Sequence, residues 1–203
     1  DRDVAGPPPG PGAGGDDELV SIPTYEYSSH SMGHPVSADD RYTHGHHESV
    51  LRSHSWRTVA NSADYVAAEF APGVPVLDVG CGPGTITIDI ARRVAPALVV
   101  GIDAAPEVLD VARQNAADAG IDNVVFAVGS VYSLDAADGS FGVVHAHQTL
   151  QHLADPVQAL REMARVARPG GVIAARDADY GGMFWTPSEG LDEWMRLYQA
   201  VHR

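Results

Sequence analysis

From Val76 onward, apolar runs of strand length alternate with longer stretches whose apolar residues recur at helical spacing. VLDV (76–79) reads as a short buried strand that ends in the turn GCGPG, and TITIDIARRV (85–94) as the helix after it. ALVVGI is a second strand. Pro106 sits where the first turn of a helix tolerates it; Val108, Val111, Ala112 and Ala119 are expected on one face, and Gly120 ends that helix. NVVFAV and FGVVHA are the third and fourth strands. Asp155-Pro156 predicts an N-cap and first-turn proline for a helix carrying Val157, Leu160, Ala164 and Ala167, stopped by Pro169-Gly170-Gly171. VIAA makes a fifth strand, and a helix through Trp194, Met195, Leu197 and Tyr198 follows. Such alternation implies an α/β fold with a parallel sheet covered on both faces. Right-handed crossovers make it doubly wound, with ligands at the carboxyl ends of the strands.

Ahead of this region the pattern is sparser. Val59, Ala63, Val66 and Phe70 share a helical face, and Pro72, Gly73 and Pro75 stop that helix. Residues 1–15 hold five glycines and four prolines with no Gly-X-Y period, followed by Asp16, Asp17 and Glu18. Residues 1–30 are therefore expected to be a disordered acidic tail, 31–73 an N-terminal helical segment and 74–203 the α/β domain.

The 203 residues are 44% hydrophobic, enough for a core, and carry 27 acidic against 13 basic side chains, a net charge of −14. That balance disfavours a phosphate backbone or an anionic membrane surface as partner. All basic residues are arginine, so Schiff-base chemistry and a Walker-type P-loop lack their lysine. Cys81 is the single cysteine. One thiol forms neither an internal disulfide nor a Cys-rich zinc site, and a reducing cytoplasm is the expected home. Neither a signal peptide nor a transmembrane run is legible, although the chain opens on Asp rather than Met.

Candidate chemistry centres on Asp78-Val79-Gly80-Cys81-Gly82-Pro83-Gly84. Glycines here let the chain leave the strand sharply and bring its backbone against a ligand. Asp103 closes the next strand, nineteen residues after Gly84, where a carboxylate accepts both hydroxyls of a ribose. Thr85 stands where a dinucleotide fold wants its third glycine, and the Asp78 carboxylate would repel a pyrophosphate. An ammonium would be welcome there. S-adenosylmethionine (SAM) has an adenosine, a sulfonium and an ammonium, and no phosphate.

VLDVGCGPG, the GID that follows, GSVYSLDAADGSFGVVHAHQTLQHLADP and ARVARPGGVIAARD together resemble the class I SAM-dependent methyltransferases, nearest the UbiE-like small-molecule group. The likeness runs from about Val74 to Asp177. It implies that Asp78, Gly80 and Gly82, with Cys81 and Gly84 in the same turn, hold the methionine end of SAM. Asp103 would bind the ribose, with Ile102 and Ala104 beside the adenine. Ser130, where the family has Asp or Asn, and Val131 would meet the base. His147 and Gln148 would lie near the methyl group, with His147 the candidate proton acceptor. The family's sheet continues beyond the last helix seen here. The expected fold is thus a Rossmann-like, doubly wound sheet of the class I methyltransferase type with its C-terminal strands missing. That leaves VIAA as a bare edge for a covering chain or a homodimer partner.

Six of the ten histidines, His30, His34, His44, His46, His47 and His54, crowd one stretch. They are read as lid or surface histidines, since such N-terminal segments fold over SAM in the family, ahead of active-site contact and, last, of a metal site, for which no rigid frame is legible. His152 is read as structural, Asp177 and Asp179 as acceptor contacts or a solvated loop. The strand-four exit HAHQ is not the Pro-Pro signature of base-amino methyltransferases, a second cysteine for cytosine-C5 or arsenite chemistry is missing, and so is the lysine of ribose methyltransferases. A small organic acceptor remains, methylated on oxygen, carbon or nitrogen. The rivals are a non-catalytic SAM-binding module and an NAD-dependent oxidoreductase.

Overall fold

The computed structural model describes residues 56–179, 182 and 190–201, all within the compact unit Met32–Arg203. The expected tail and the histidine-rich stretch from His30 to His54 lie outside the described residues. A short helix α1 (Val59–Ser62) leads into a 3-10 helix (Asp64–Glu69), then β1 (Val76–Val79), α2 (Thr85–Val94), β2 (Val99–Asp103) and α3 (Pro106–Asp118). β3 (Val124–Val128), β4 (Phe141–His147), a 3-10 turn (Leu150–His152), α4 (Pro156–Val166), β5 (Ala167–Arg176) and α5 (Leu191–Val201) follow.

Among the described residues the strands form one parallel sheet in the order β3-β2-β1-β4-β5. The chain winds outward from β1 through β2 and β3, then returns to place β4 on the other side of β1. That reversal opens a crevice at the carboxyl ends of β1 and β4, where such sheets bind ligands. β1 is buried along its whole length, as a central parallel strand must be.

Each face has its own core. Val59, Ala63, Val66 and Phe70 pack with Ile86 and Ile90 of α2 on Val76, Val143 and Ala174. The expected face of the N-terminal helix is therefore used, although the chain breaks it into an α turn and a 3-10 helix. On the opposite face, Leu77, Val79, Val144 and Ala146 meet Ala159, Met163 and Val166 of α4. Asp155 caps α4 by accepting the Gln158 amide at 2.9 Å, and Pro156 occupies the first turn.

Three expectations need correction. Val157 is 54% and Leu160 37% exposed, and Ala164 is exposed too; the buried stripe of α4 is Ala159-Met163-Val166. On α3, Val111 is 39% exposed while Leu109 and Ala116 are buried beside Val108 and Ala112. α4 carries two apolar stripes at helical spacing and the sheet selects the one that faces it, whereas the single apolar face of α3 is rotated toward Leu109 and Ala116 and away from Val111. Third, Ala167 ends the helix and already pairs with Phe141, so β5 begins five residues before VIAA and passes an irregularity between Phe141 and Val143. β3 and β5 are the two edge strands among the described residues, and Ile173 of β5 is 39% exposed.

Met163→Ala is expected to lower the unfolding free energy by about 2–5 kcal/mol. Val157→Ser should change it by no more than about 0.5 kcal/mol. Urea denaturation of both variants checks this; equal losses would mean that Val157 is packed as deeply as Met163.

Candidate functional site

Four strand exits meet at one end of the sheet. Gly80 and Cys81 both donate their amides to Ile102 O, at 2.8 and 2.9 Å, which ties the exit of β1 to β2. The Gly129 amide donates to Asp103 O at 3.0 Å and brings the exit of β3 alongside. Thr149 Oγ1 donates to Val79 O at 3.1 Å, so the chain leaving β4 closes over β1 from the other side. Asp78 to Gly84, Asp103 and Ala104, Ser130 and Val131, and His147 and Gln148 therefore lie along one rim, as the sequence reading grouped them.

The turn after β1 is built from its own amides. Gly82 N donates to Asp103 Oδ2 at 3.0 Å, Gly84 N to Cys81 O at 3.0 Å, and Asp103 Oδ1 accepts the Ala105 amide at 3.0 Å. Gly84 has φ 76°, and a Cβ there would sit 2.8 Å from Phe126 and 3.0 Å from Ala112, so only glycine fits. Gly82, at φ 53°, is different: a Cβ would meet nothing within 4 Å, and its α-carbon faces open space. Cys81 points inward, against Ile88, Leu109 and Phe126. Burial, reinforced by Asp78 and Asp103, pushes its thiol well above the usual range, which removes it as a nucleophile at neutral pH.

Asp78 is 3% exposed. Thr87 Oγ1, in the first turn of α2, donates to its Oδ2 at 2.6 Å, and His145 Nδ1 lies 2.7 Å from its Oδ1. Asp103 and Ser130 are half-buried and Ala104 is exposed. Ser130 Oγ accepts the Tyr132 amide at 3.3 Å, while the Val131 side chain is buried on the α4 side of the sheet, leaving its backbone to the rim.

His147 is 9% exposed, and its Nδ1 is buried without a partner among the described residues. Burial first, then the positive charge of Arg57 and Arg176, lowers it from 6.5 to about 4. Arg176 is its register neighbour on β5. Gln148 adopts a left-handed φ of 54°, uncommon for a residue with a Cβ. Its amide donates to Arg176 O at 2.7 Å, and its Oε1 accepts Arg57 Nη2 at 2.6 Å. Arg176 Nη1 in turn donates to Ser62 O at 3.0 Å, so residues 57–62 are strapped across the exits of β4 and β5. His152 sits in the 3-10 turn, its Nε2 3.1 Å from Gln151 Nε2, and Asp177 accepts the Gln151 amide at 3.2 Å.

Sequence reasoning missed Thr87, His145, Thr149, Arg57 and Arg176. His145 had a signal, because it lies two residues before His147 in a strand and so shares its face. Thr87 had a weaker one, as a hydroxyl in the first helical turn after the glycines. Arg57 had none; its contact spans 91 residues of chain.

A family model described as a methyltransferase domain matches residues 70–201. Over 144 residues the chain is 37% identical to an uncharacterized methyltransferase of Schizosaccharomyces pombe, covering 68% of this chain and 52% of that protein. It is 42% identical over 112 residues to a ubiquinone biosynthesis O-methyltransferase of Xanthomonas campestris, covering 54% and 46%. The chain thus spans about half the length of these curated relatives. The crystal structure of a SAM-dependent methyltransferase from Aquifex aeolicus superposes with a TM-score of 0.55 at 24% identity, over 68% of this chain and 77% of that one, and shares the fold. With that match over most of its length, and a sheet wound in the same way, the chain belongs to the methyltransferase-domain family.

Proposed function

We propose that this chain carries the cofactor-binding half of a SAM-dependent methyltransferase acting on a small organic acceptor at oxygen, carbon or nitrogen. One observation carries the reading. The carboxylate of Asp78 is buried below a turn whose amides at Gly80, Cys81, Gly82 and Gly84 all donate within the protein. Those four N–H groups leave no cradle for a pyrophosphate, and the negative charge opposes one. The open α-carbon of Gly82 and the acidic Asp103 beside it suit a sugar and a cation instead.

In this reading Asp78, Gly80 and Gly82 hold the methionine end, with the backbone of Cys81 and Gly84 shaping the turn. Asp103 takes the ribose, Ile102 and Ala104 flank the adenine, and Ser130 with the Val131 backbone meets its edge. The chemistry SAM supplies when bound is a methyl group on a positive sulfur, open to direct displacement. The chain's task is then chiefly alignment. His147 and Gln148 line the acceptor side. A neutral imidazole can take a proton, but one lowered to about 4 is a weak base. It fits an acceptor whose proton is acidic, or one that loses it after transfer, and the positive charge of Arg57 and Arg176 favours the deprotonated form. A small acceptor is further supported by the O-methyltransferase name of one relative.

Titration calorimetry should give binding heat with SAM and S-adenosylhomocysteine and none with NAD; the reverse result would restore the oxidoreductase. Asp103→Ala should weaken S-adenosylhomocysteine binding by about 1–3 kcal/mol, since charge-assisted hydrogen bonds are lost. Unchanged affinity would place the ribose elsewhere.

His147 generates a second expectation. Its folded value lies below the ordinary 6.5, so the folded state binds fewer protons than the unfolded one between 6.5 and about 4. Its contribution to stability is complete above 6.5 and is lost as pH falls toward 4. Imidazole NMR should place its midpoint near 4. His147→Gln should flatten the loss of unfolding free energy over that acid range. A midpoint at the ordinary value would mean the ring is solvated.

A further inference from the structure

Asp78 on β1 and His145 on β4 are register partners in adjacent parallel strands and point to the same face of the sheet. His145 is 0% exposed. One edge of its ring reaches Asp78 through Nδ1; the other nitrogen, Nε2, is buried with no partner among the described residues. The Phe70 ring packs on it nearly perpendicular at 6.0 Å, and the His147 ring lies parallel at 6.4 Å. A carboxylate only accepts, so Nδ1 carries the proton in this contact. A second proton on Nε2 would be a buried donor without an acceptor, which burial penalises. The packing around the ring therefore suits a neutral imidazole with its proton on Nδ1.

The choice of partner has an electrostatic consequence. Both side chains that hold Asp78, the hydroxyl of Thr87 and a neutral imidazole, satisfy its oxygens without cancelling its charge. An arginine there would neutralise it. The first turn of α2, which carries Thr87, adds only the partial positive charge of a helix terminus. The pair keeps one net negative charge beneath the glycine turn, locked in direction from two sides.

We propose that His145 is a positioning residue for cofactor recognition. By donating Nδ1–H from a fixed place in β4, it holds the ionised Asp78 carboxylate in the one orientation that serves a cationic ligand. This rests on the reading of Asp78 as the residue for the methionine end, and the test separates the two.

S-adenosylhomocysteine is titrated into the chain and into Asp78→Ala, His145→Leu and His145→Asn, with thermal melts as a folding control. His145→Leu should weaken binding about tenfold or more, the loss of one charge-assisted hydrogen bond. His145→Asn, whose amide N–H can stand in for Nδ1–H, should stay within about threefold of the parent. In parallel, imidazole ¹⁵N NMR of the unmodified chain should show the His145 proton on Nδ1, and its signal should shift when S-adenosylhomocysteine is added. If Asp78→Ala loses affinity while His145→Leu does not, the positioning role is overturned and the reading of Asp78 stands. If Asp78→Ala binds like the parent, that reading falls. An Asn variant as weak as the Leu variant would make His145 a packing residue only. Should His145→Leu not fold, the NMR decides: a proton on Nε2, or a signal indifferent to the ligand, sinks the proposal.

Discussion

A buried carboxylate at the centre of a parallel sheet is costly unless every lone pair that matters has a donor. Asp78 meets this demand with donors from two other elements, Thr87 of α2 and His145 of β4. Those two bonds fix where α2 begins relative to β1 and hold β4 beside β1 at the point where the strand order reverses. The glycine turn follows Asp78 directly and is tied to Asp103, which accepts the Gly82 amide. Removing the Asp103 carboxylate would release the turn as well as remove charge from it.

The turn shows how little freedom its glycines have. Gly84 has no room for a Cβ because Phe126 and Ala112 pack against it, whereas Gly82 has nothing above it. The first serves the core and the second leaves space for a ligand. A motif of three glycines thus mixes two physical roles that its letters do not distinguish. Likewise Cys81, in the middle of the turn, belongs by side chain to the core and by backbone to the rim.

The rim at the exits of β4 and β5 is closed by residues distant in sequence. Arg57 reaches Gln148, and Arg176 reaches back to Ser62, so two guanidinium groups flank the imidazole of His147. Burial first, and then this positive charge, favours the neutral ring inside a protein whose net charge is −14. The strap, the strained Gln148 and the buried His147 act as one unit, since each depends on a hydrogen bond or a charge from another.

The alternation of strands and helices, the turn after β1, Asp103 at the end of β2 and the cap at Asp155 could all be read from the sequence. Each depends on local rules: periodicity, the conformational freedom of glycine, and the side chain that caps a helix. β1 and α2 span the residues expected of them. The buried faces of α3 and α4 were not decided locally: α4 carries two apolar stripes, the apolar face of α3 is broad, and only the sheet's position fixes which residues go inside. The same holds for His145. Alternation put it on the face of His147, but its bond to Asp78 exists only because β4 lies next to β1, a neighbour relation set by the order of strands in space. The contacts of Arg57 and Arg176 are further still from any local rule, joining residues 91 and 114 positions apart. The sequence by itself determined the elements and the chemistry at their ends. Tertiary structure alone decided which of those groups touch, since long-range contacts follow from packing and strand order, which no single segment encodes.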